Sequence, residues 1–376
     1  MATNVLNVYD PISYAQEALI LLEKRLGRAS RVHRGYEKEA KQKGSTIEIG
    51  RPSTFVAQDA PSNDQNLETQ MISMQLNYWK EVKFALTDKE LSHTGDRIIQ
   101  DHLAPAVYAL ADDVDQKLAA LANDIPWYYT LAATTEVKDF TRSLKVLKDN
   151  NVPTNLGQIH AAMDSTLESG AIELMSNFQT AGATSAEPLL YGSLGTRFGA
   201  ELFGNGNVGT HTKGTCSTTT LAVNGAATKG ATTINLDAVA VTGTVVAGDS
   251  FVIAGHVQRY AVTSTCTAAG NALGGVTFTP PLAADAANDA VVTMRLVTHT
   301  QSMMFHSDAF ALAMAPLSEI GSELGARVAT ITDPKSGLSI RSRLFYVGDS
   351  STVKVALDIL YAVKTLNPNM AVIMAG

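Results

Sequence analysis

Residues 209–297 constrain this chain more than any other segment, because their composition suits only one kind of structure. From Thr232-Thr-Ile-Asn-Leu-Asp to Val291-Val-Thr-Met-Arg-Leu the segment is rich in Thr, Val, Ala and Gly, and its period-two alternation is broken by Gly turns. That pattern predicts short β-strands joined by tight turns. The sequence on either side is helical or mixed. An all-β module is therefore expected to interrupt an α+β body, whose two parts must pair across it.

The 376 residues allow two or three compact units. Only 17% are charged, which leaves a largely neutral polar surface and suits a chain with many neighbours. The net charge of −7 is uneven: Lys24 to Lys43 carries +6 and the remainder −13. A basic arm of this kind binds nucleic acid or an acidic neighbour. It can equally be a solvated helix end, where cations are favoured.

Cys216 and Cys266 both lie in the β module, and a reduced pair is expected because nothing points to an oxidising compartment. The N-terminus has no basic region followed by an apolar run, so no signal peptide is expected. No window approaches the roughly 18 apolar residues of a membrane span. The expectation is a protein made in the cytoplasm, with no membrane partner.

Asp10-Pro11 opens a helix with a carboxylate cap and a first-turn proline. Ile12, Ala15, Leu19, Leu22 and Leu26 follow as one apolar stripe, and Arg28 and Arg31 lie in the basic run behind it. This arm needs a surface to lie against. Residues 44–92 read as two extended segments around a polar tip, Gln58-Asp-Ala-Pro-Ser-Asn-Asp-Gln, which includes Asp59 and Asp64. A two-stranded hairpin alone is marginal, so a projecting one is expected to find its partner on another chain. Asp96 begins the longest helical pattern, with Ile99, Leu103, Val107, Leu110, Val114, Leu118 and Leu121 on one face and Pro105 in an early turn. Further helices are expected over 139–149, 154–178, Asp308 to Leu324 and near 350–364, with strands at 191–203, 340–347 and 370–374.

No constellation announces chemistry. Gly204-Asn-Gly-Asn-Val-Gly209 matches a dinucleotide fingerprint by letter, but that motif must open a helix and Thr210-His-Thr-Lys-Gly opens none. The glycines read as a hinge into the insert. Asp112-Asp-Val-Asp115 invites a metal, yet residues about 100° apart around a helix cannot converge on one ion, so a solvated face is the plainer reading. His211, His256, His299 and His306 lack zinc spacing with the cysteines. No serine-hydrolase elbow, zincin or phosphate-loop motif is present. No catalytic, cofactor or metal residue is assigned.

Three passages taken in order resemble the major capsid proteins of tailed bacteriophages, with their HK97-type fold. They are Phe84-Ala-Leu-Thr-Asp-Lys-Glu-Leu91 leading into the long helix, Met304-Phe-His-Ser-Asp-Ala-Phe-Ala-Leu-Ala313, and Asp358-Ile-Leu-Tyr-Ala-Val-Lys-Thr-Leu-Asn-Pro-Asn-Met-Ala-Val-Ile373. In the last, Ala362 stands where glycine is usual. Ala247-Gly-Asp-Ser-Phe-Val-Ile-Ala-Gly255 is similar to the branch whose coat protein carries an inserted β-barrel domain. The resemblance covers nearly the whole chain.

It implies an α+β HK97-like capsid fold: an N-arm (1–43), an E-loop hairpin (44–92), a spine helix and peripheral domain (93–190), an axial domain and closing peripheral strands (191–208 and 298–376), and an inserted barrel (209–297). It implies copies joined as hexamers and pentamers of an icosahedral virion shell, assembled in the bacterial cytoplasm around dsDNA, with no cofactor and no enzymatic step. Leu19, Leu22, Leu26, Arg28, Arg31, Gln58, Asp59 and Asp64 become candidate intersubunit residues. Met1 lies close to the arm helix, so a separate scaffolding protein is the implied partner, along with a portal protein and the packaged DNA. The alternatives are a β-domain adhesin or surface-binding protein, against which the missing signal peptide argues, and an enzyme without a recognisable motif.

Overall fold

The computed structural model describes residues 11–25, 27–34, 46–51, 59–60, 64, 70–154, 158–177, 194–319, 326–332 and 338–376. They divide into two compact units: residues up to Val114 with Ala311–Leu366, and Asp115–Phe310 with Asn367–Gly376. The span 298–376, expected to hold both axial and closing peripheral parts, is divided between the two units. Its middle part belongs with the N-terminal third of the chain, because the strands there pair with residues 78–87.

In the first unit, helix α1 (Pro11–Arg25) lies against the strands Arg327–Thr332 and Ser339–Val347. Tyr14, Ala15, Ala18 and Leu22 are buried, while Leu19 is half-buried and Ile20 is exposed. The apolar face is thus rotated slightly from the expected stripe. The Ile12 side chain and Leu26 fall outside the described residues.

The sheet beneath α1 runs in the order Phe310–Met314, Thr352–Thr365, Ser339–Val347, Arg327–Thr332, and Tyr78–Thr87 also pairs with the long central strand. This corrects two expectations. Within Asp308 to Leu324, the described residues form a short 3-10 turn and a strand rather than a helix, and 350–364 is the 14-residue strand Thr352–Thr365. Both segments are buried on both faces: Val355 to Ala362 and Phe310 to Met314 are buried without a break. A central strand of that kind reads as a continuous apolar run, which periodicity cannot tell from a buried helix. Helix-favouring Ala and Leu are then overruled by the sheet that surrounds them.

The hairpin Thr46–Arg51 and Gln70–Gln75 is antiparallel, with Ile47 opposite Met74 and Ile49 opposite Ile72. Its inner face, Ile47, Ile49, Met74 and Leu76, packs on Ala311, Ala313, Ala315, Leu360 and Ala362 of the same unit. The expected single return strand is in fact two: Gln70–Gln75 completes the hairpin and Tyr78–Thr87 joins the sheet. Helix α2 (Asp88–Ala120) begins eight residues before the expected Asp96 and spans about 50 Å. Pro105 sits on its exposed side, where the carbonyl freed by the missing N–H can meet water. Leu103, Val107, Leu110, Val114 and Leu118 form its buried face, as the spacing predicts.

The second unit is built on a sheet ordered Tyr128–Thr130, Ala371–Ala375, His299–His306, Ile159–Met163, Ala200–Gly204, Thr196–Arg197. Helices α3 (Val137–Asp149) and α4 (Ser165–Asn177) cover it, and Phe140, Leu147, Leu167 and Ala171 pack on Ile159, Met163, Met304 and Met374. The expected helix 154–178 is a strand followed by α4; the apolar Ile159–Met163 is fully buried and pairs on both edges. Buried Asp139 ties down the start of α3, accepting from the backbone N–H groups of Glu136 (2.8 Å) and Ala132 (3.2 Å).

Six strands between Thr220 and Arg295 close into a barrel, in the order Thr233–Asp237, Ala272–Thr279, Arg259–Val262, Ser250–Ile253, Val291–Arg295, Thr220–Val223. Alternate side chains point inward, and Leu221, Val223, Ile234, Leu236, Phe251, Ile253, Tyr260, Val276, Phe278 and Met294 form one core. Phe251, Tyr260 and Phe278 meet with centroids 5.3–5.4 Å apart, tilted or edge to face.

A barrel with its own closed core should fold without the body. Residues 210–297 expressed alone are expected to give a β-type circular dichroism spectrum and dispersed amide resonances. Leu236→Ala in that fragment should lower its stability by about 2–5 kcal/mol. A disordered fragment would contradict the autonomy of the module.

Candidate assembly surfaces and the neck of the barrel

The chain enters and leaves the barrel through a neck of two short paired segments. Thr210 and His211 pair with Thr300 and His299 in antiparallel register. The two imidazoles lie with centroids 5.2 Å apart. His211 Nε2 is 3.0 Å from Asp249 Oδ1, and both side chains are buried. Asp249 Oδ2 also accepts from the N–H groups of Gly214 (3.1 Å) and Val246 (2.9 Å). One buried carboxylate therefore joins the incoming strand, the loop after it and the barrel turn. The neighbouring Gly248 has φ +97, and a Cβ there would lie 2.6 Å from Asn123 Oδ1 and 2.8 Å from His211 Nδ1. The Gly-Asp pair of the 247–255 run thus has a physical role: glycine permits close approach and aspartate fastens it.

His299 Nδ1 is 2.8 Å from the Val297 carbonyl and 3.4 Å from Arg295 Nη1. The shorter contact requires Nδ1 to carry the proton and donate to the carbonyl. Burial, with Arg295 and His211 nearby, pushes the His299 pKa below its ordinary value. The barrel is also fastened by an amide pair. Gln258 Nε2 donates to Asn369 Oδ1 (2.9 Å), Asn369 Nδ2 donates to Gln258 Oε1 (3.2 Å), and Trp127 Nε1 donates to Asn369 Oδ1 (2.9 Å).

A second polar cluster lies in the first unit. Fully buried Asp358 accepts from Arg341 through Nε and Nη2, one guanidinium edge, and from Trp79 Nε1 (3.0 Å). Arg343 reaches Asp358 (3.3 Å) and Glu81 (2.7 Å). Strand register sets this up, since Glu81 and Arg341 stand opposite Asp358 on its two neighbouring strands.

The residues singled out in the sequence are dispersed. Leu22 and Arg28 are buried within their own unit, at 0% and 1% exposure. Arg28 is therefore not part of a solvated helix end. Leu19 and Arg31 are half-buried, Asp59 and Asp64 are exposed, and Gln58 and Leu26 lie outside the described residues. The Gly204 motif leads into the strand Thr210–His211, not a helix, so the context a dinucleotide fingerprint requires is absent. Asp113 contacts Lys80 (3.3 Å) and Tyr361, while Asp115 is buried and accepts from Asn205 (2.7 Å) and Asn207 (3.3 Å). These acids diverge as helix geometry requires, but Asp115 is a buried anchor, not a solvated residue. Cys216 and Cys266 are free thiols. Among the described residues no three His, Cys, Asp or Glu side chains converge to hold a metal, and no helix is long and apolar enough to cross a membrane. The neck was missed in the sequence because its partners are 38 and 88 residues from His211; only the Gly248-Asp249 pair signalled it.

Because folded His299 resists protonation, acid favours the unfolded chain, which takes up a proton near pH 6.5. Stability contributed by neutral His299 is complete above that pH and is lost as pH falls toward the lower folded value. The melting temperature of the wild type should therefore fall more between pH 7.5 and 5 than that of His299→Gln. Parallel profiles would contradict this assignment.

No family model matches the chain, and no curated protein matches it in sequence. Among solved structures, that of Mycobacterium phage Che8 is similar over 93% of this chain and 90% of its own, at 14% identity and a TM-score of 0.50. The capsid structure of cyanophage P-SCSP1u is similar over 92% of this chain and 85% of its own, at 10% identity and a TM-score of 0.44. The mature capsid of bacteriophage PhiM1 is similar over 89% and 82%, at 9% identity and 0.43. At such identities the likeness is one of fold, and the Che8 structure carries it. The architecture is mixed α+β, with few helices and many strands, and this fold is what the chain shares with the Che8 structure.

Proposed function

We propose that this chain is the coat subunit of a tailed-phage head, built on the HK97-type fold with the Thr220–Arg295 barrel as its inserted domain. The observation that carries the reading is the likeness to the Che8 phage structure over nine-tenths of both chains. The order of elements supports it: an arm helix, a hairpin, the 33-residue α2, and a body completed by C-terminal strands on the far side of the insert. In this reading α2 is the spine, the first compact unit is peripheral and the second is axial, so 311–366 supplies the closing peripheral strands. Residues 1–43 and the tip of the 44–92 hairpin are the segments that reach neighbouring copies.

The subunit's task is then structural. Copies join as hexamers and pentamers, and many weak contacts sum to a stable icosahedral shell around dsDNA. Leu22 and Arg28 are buried in the subunit, so among the described candidates the exposed Asp59 and Asp64 are left to meet a neighbouring copy. The charge of +6 over Lys24 to Lys43 suits an acidic scaffolding protein or packaged DNA, contacts that weaken as salt rises. A portal protein completes the set of partners.

The purified full chain is expected to sediment as megadalton particles and to show closed shells by electron microscopy. Deleting 53–68 should leave a folded subunit that makes none. Monomers or small oligomers from the full chain, or normal shells from the deletion, would contradict the reading.

A further inference from the structure

Strand register places two arginines on the outer wall of the barrel. Arg259 stands opposite Val252, Arg295 stands opposite Ser250, and the intervening Phe251, Tyr260 and Met294 turn inward to the core. Both guanidiniums face Tyr128 of the neighbouring sheet, with carbons 4.6 Å and 3.8 Å from its ring centroid. Arg259 also approaches the Trp127 ring at 5.7 Å. Between them opens a cleft of about 340 Å³, lined also by Ser250 and Thr293.

Among the described residues neither guanidinium has a carboxylate within ion-pairing distance. The nearby anion, Asp249, is already committed to His211, Gly214 and Val246. Two like charges therefore share one half-buried ring without a counter-ion. Each guanidinium carbon lies over the Tyr128 ring, a contact that restrains the group while its N–H edges can still bind an anion. Those edges match the geometry of a phosphate or carboxylate, and their fixed orientation lowers the entropy lost on binding.

We propose that the cleft between the barrel and Tyr128 is an oxyanion site, in which Arg259 and Arg295 hold one phosphate or carboxylate group and Ser250 or Thr293 donates a further hydrogen bond. Burial and the neighbouring Arg259 lower the pKa of Arg295, so an anion arriving there meets a cation that gains from neutralisation. The site is independent of the shell reading, because it rests only on the contacts of one unit.

The test is a titration of the full chain with inorganic phosphate at constant ionic strength, with chloride as control. It is read by tryptophan fluorescence, since the Trp127 ring lies 5.7 Å from the Arg259 guanidinium, and by melting temperature. One saturable site is expected, with affinity falling at least tenfold in Arg259→Gln and in Arg295→Gln. Arg259→Lys, which keeps the charge and loses the fork, should fall between. Acetate titrated in parallel distinguishes the source: tighter acetate binding assigns the cleft to a carboxylate, tighter phosphate binding to a phosphoryl group. If Arg295→Gln unfolds the unit, Arg259→Gln and Arg259→Lys still decide, because Arg259 lies outside the neck. Phosphate that acts no differently from chloride, or binds equally well to the Arg259 variants, overturns the proposal.

Discussion

A closed barrel can sit inside another domain only if its two ends emerge side by side. Here they do. Thr220–Val223 and Val291–Arg295 are hydrogen-bonded neighbours, with Thr220 opposite Thr293, and a few residues later the chain is paired again through His211 and His299. Holding the ends of a flexible loop of this length together would cost roughly 4 kcal/mol in closure entropy. A folded insert whose ends already meet removes most of that cost. The body can then form its sheet from Ile159–Met163 and Ala200–Gly204 before the insert and His299–His306 and Ala371–Ala375 after it, as though the chain were continuous. Asp249 is the fastening, because its three partners belong to the neck, the connecting loop and the barrel turn.

The legible parts of the fold were those where one face is wet. The barrel strands alternate, so Thr233-Ile-Asn-Leu-Asp announces its inner Ile234 and Leu236. The buried face of α2 follows from 3.6-residue spacing, and the hairpin from Ile47 and Ile49. The errors fell where both faces are buried. Thr352–Thr365 lies between paired strands, and Phe310-Ala-Leu-Ala-Met is covered on every side, so neither shows the period that separates strand from helix. Charge misled in a similar way: Arg28 and Asp115 look like surface residues, and only tertiary partners explain their burial.

The two units handle buried charge differently. In the first, Asp358 is neutralised by Arg341 and Arg343, so a central sheet position can carry a carboxylate because its cations come from the adjacent strand. In the second, Asp249 is held by an imidazole and two backbone N–H groups, which leaves Arg259 and Arg295 without an acidic partner among the described residues. The first arrangement consolidates a sheet whose work is to be rigid. The second leaves an unneutralised surface at the joint between insert and body, where an added anion would tighten the docking.

The claim that Asp249 fastens the insert is tested most directly by amide hydrogen exchange in Asp249→Asn. Protection should fall at Gly214 and Val246, and with them at His211 and His299. The barrel-core amides of Phe278 and Met294, bonded to the Thr232 and Thr219 carbonyls, should keep theirs. Loss of protection in the core together with the neck, or no change at the neck, would contradict this account.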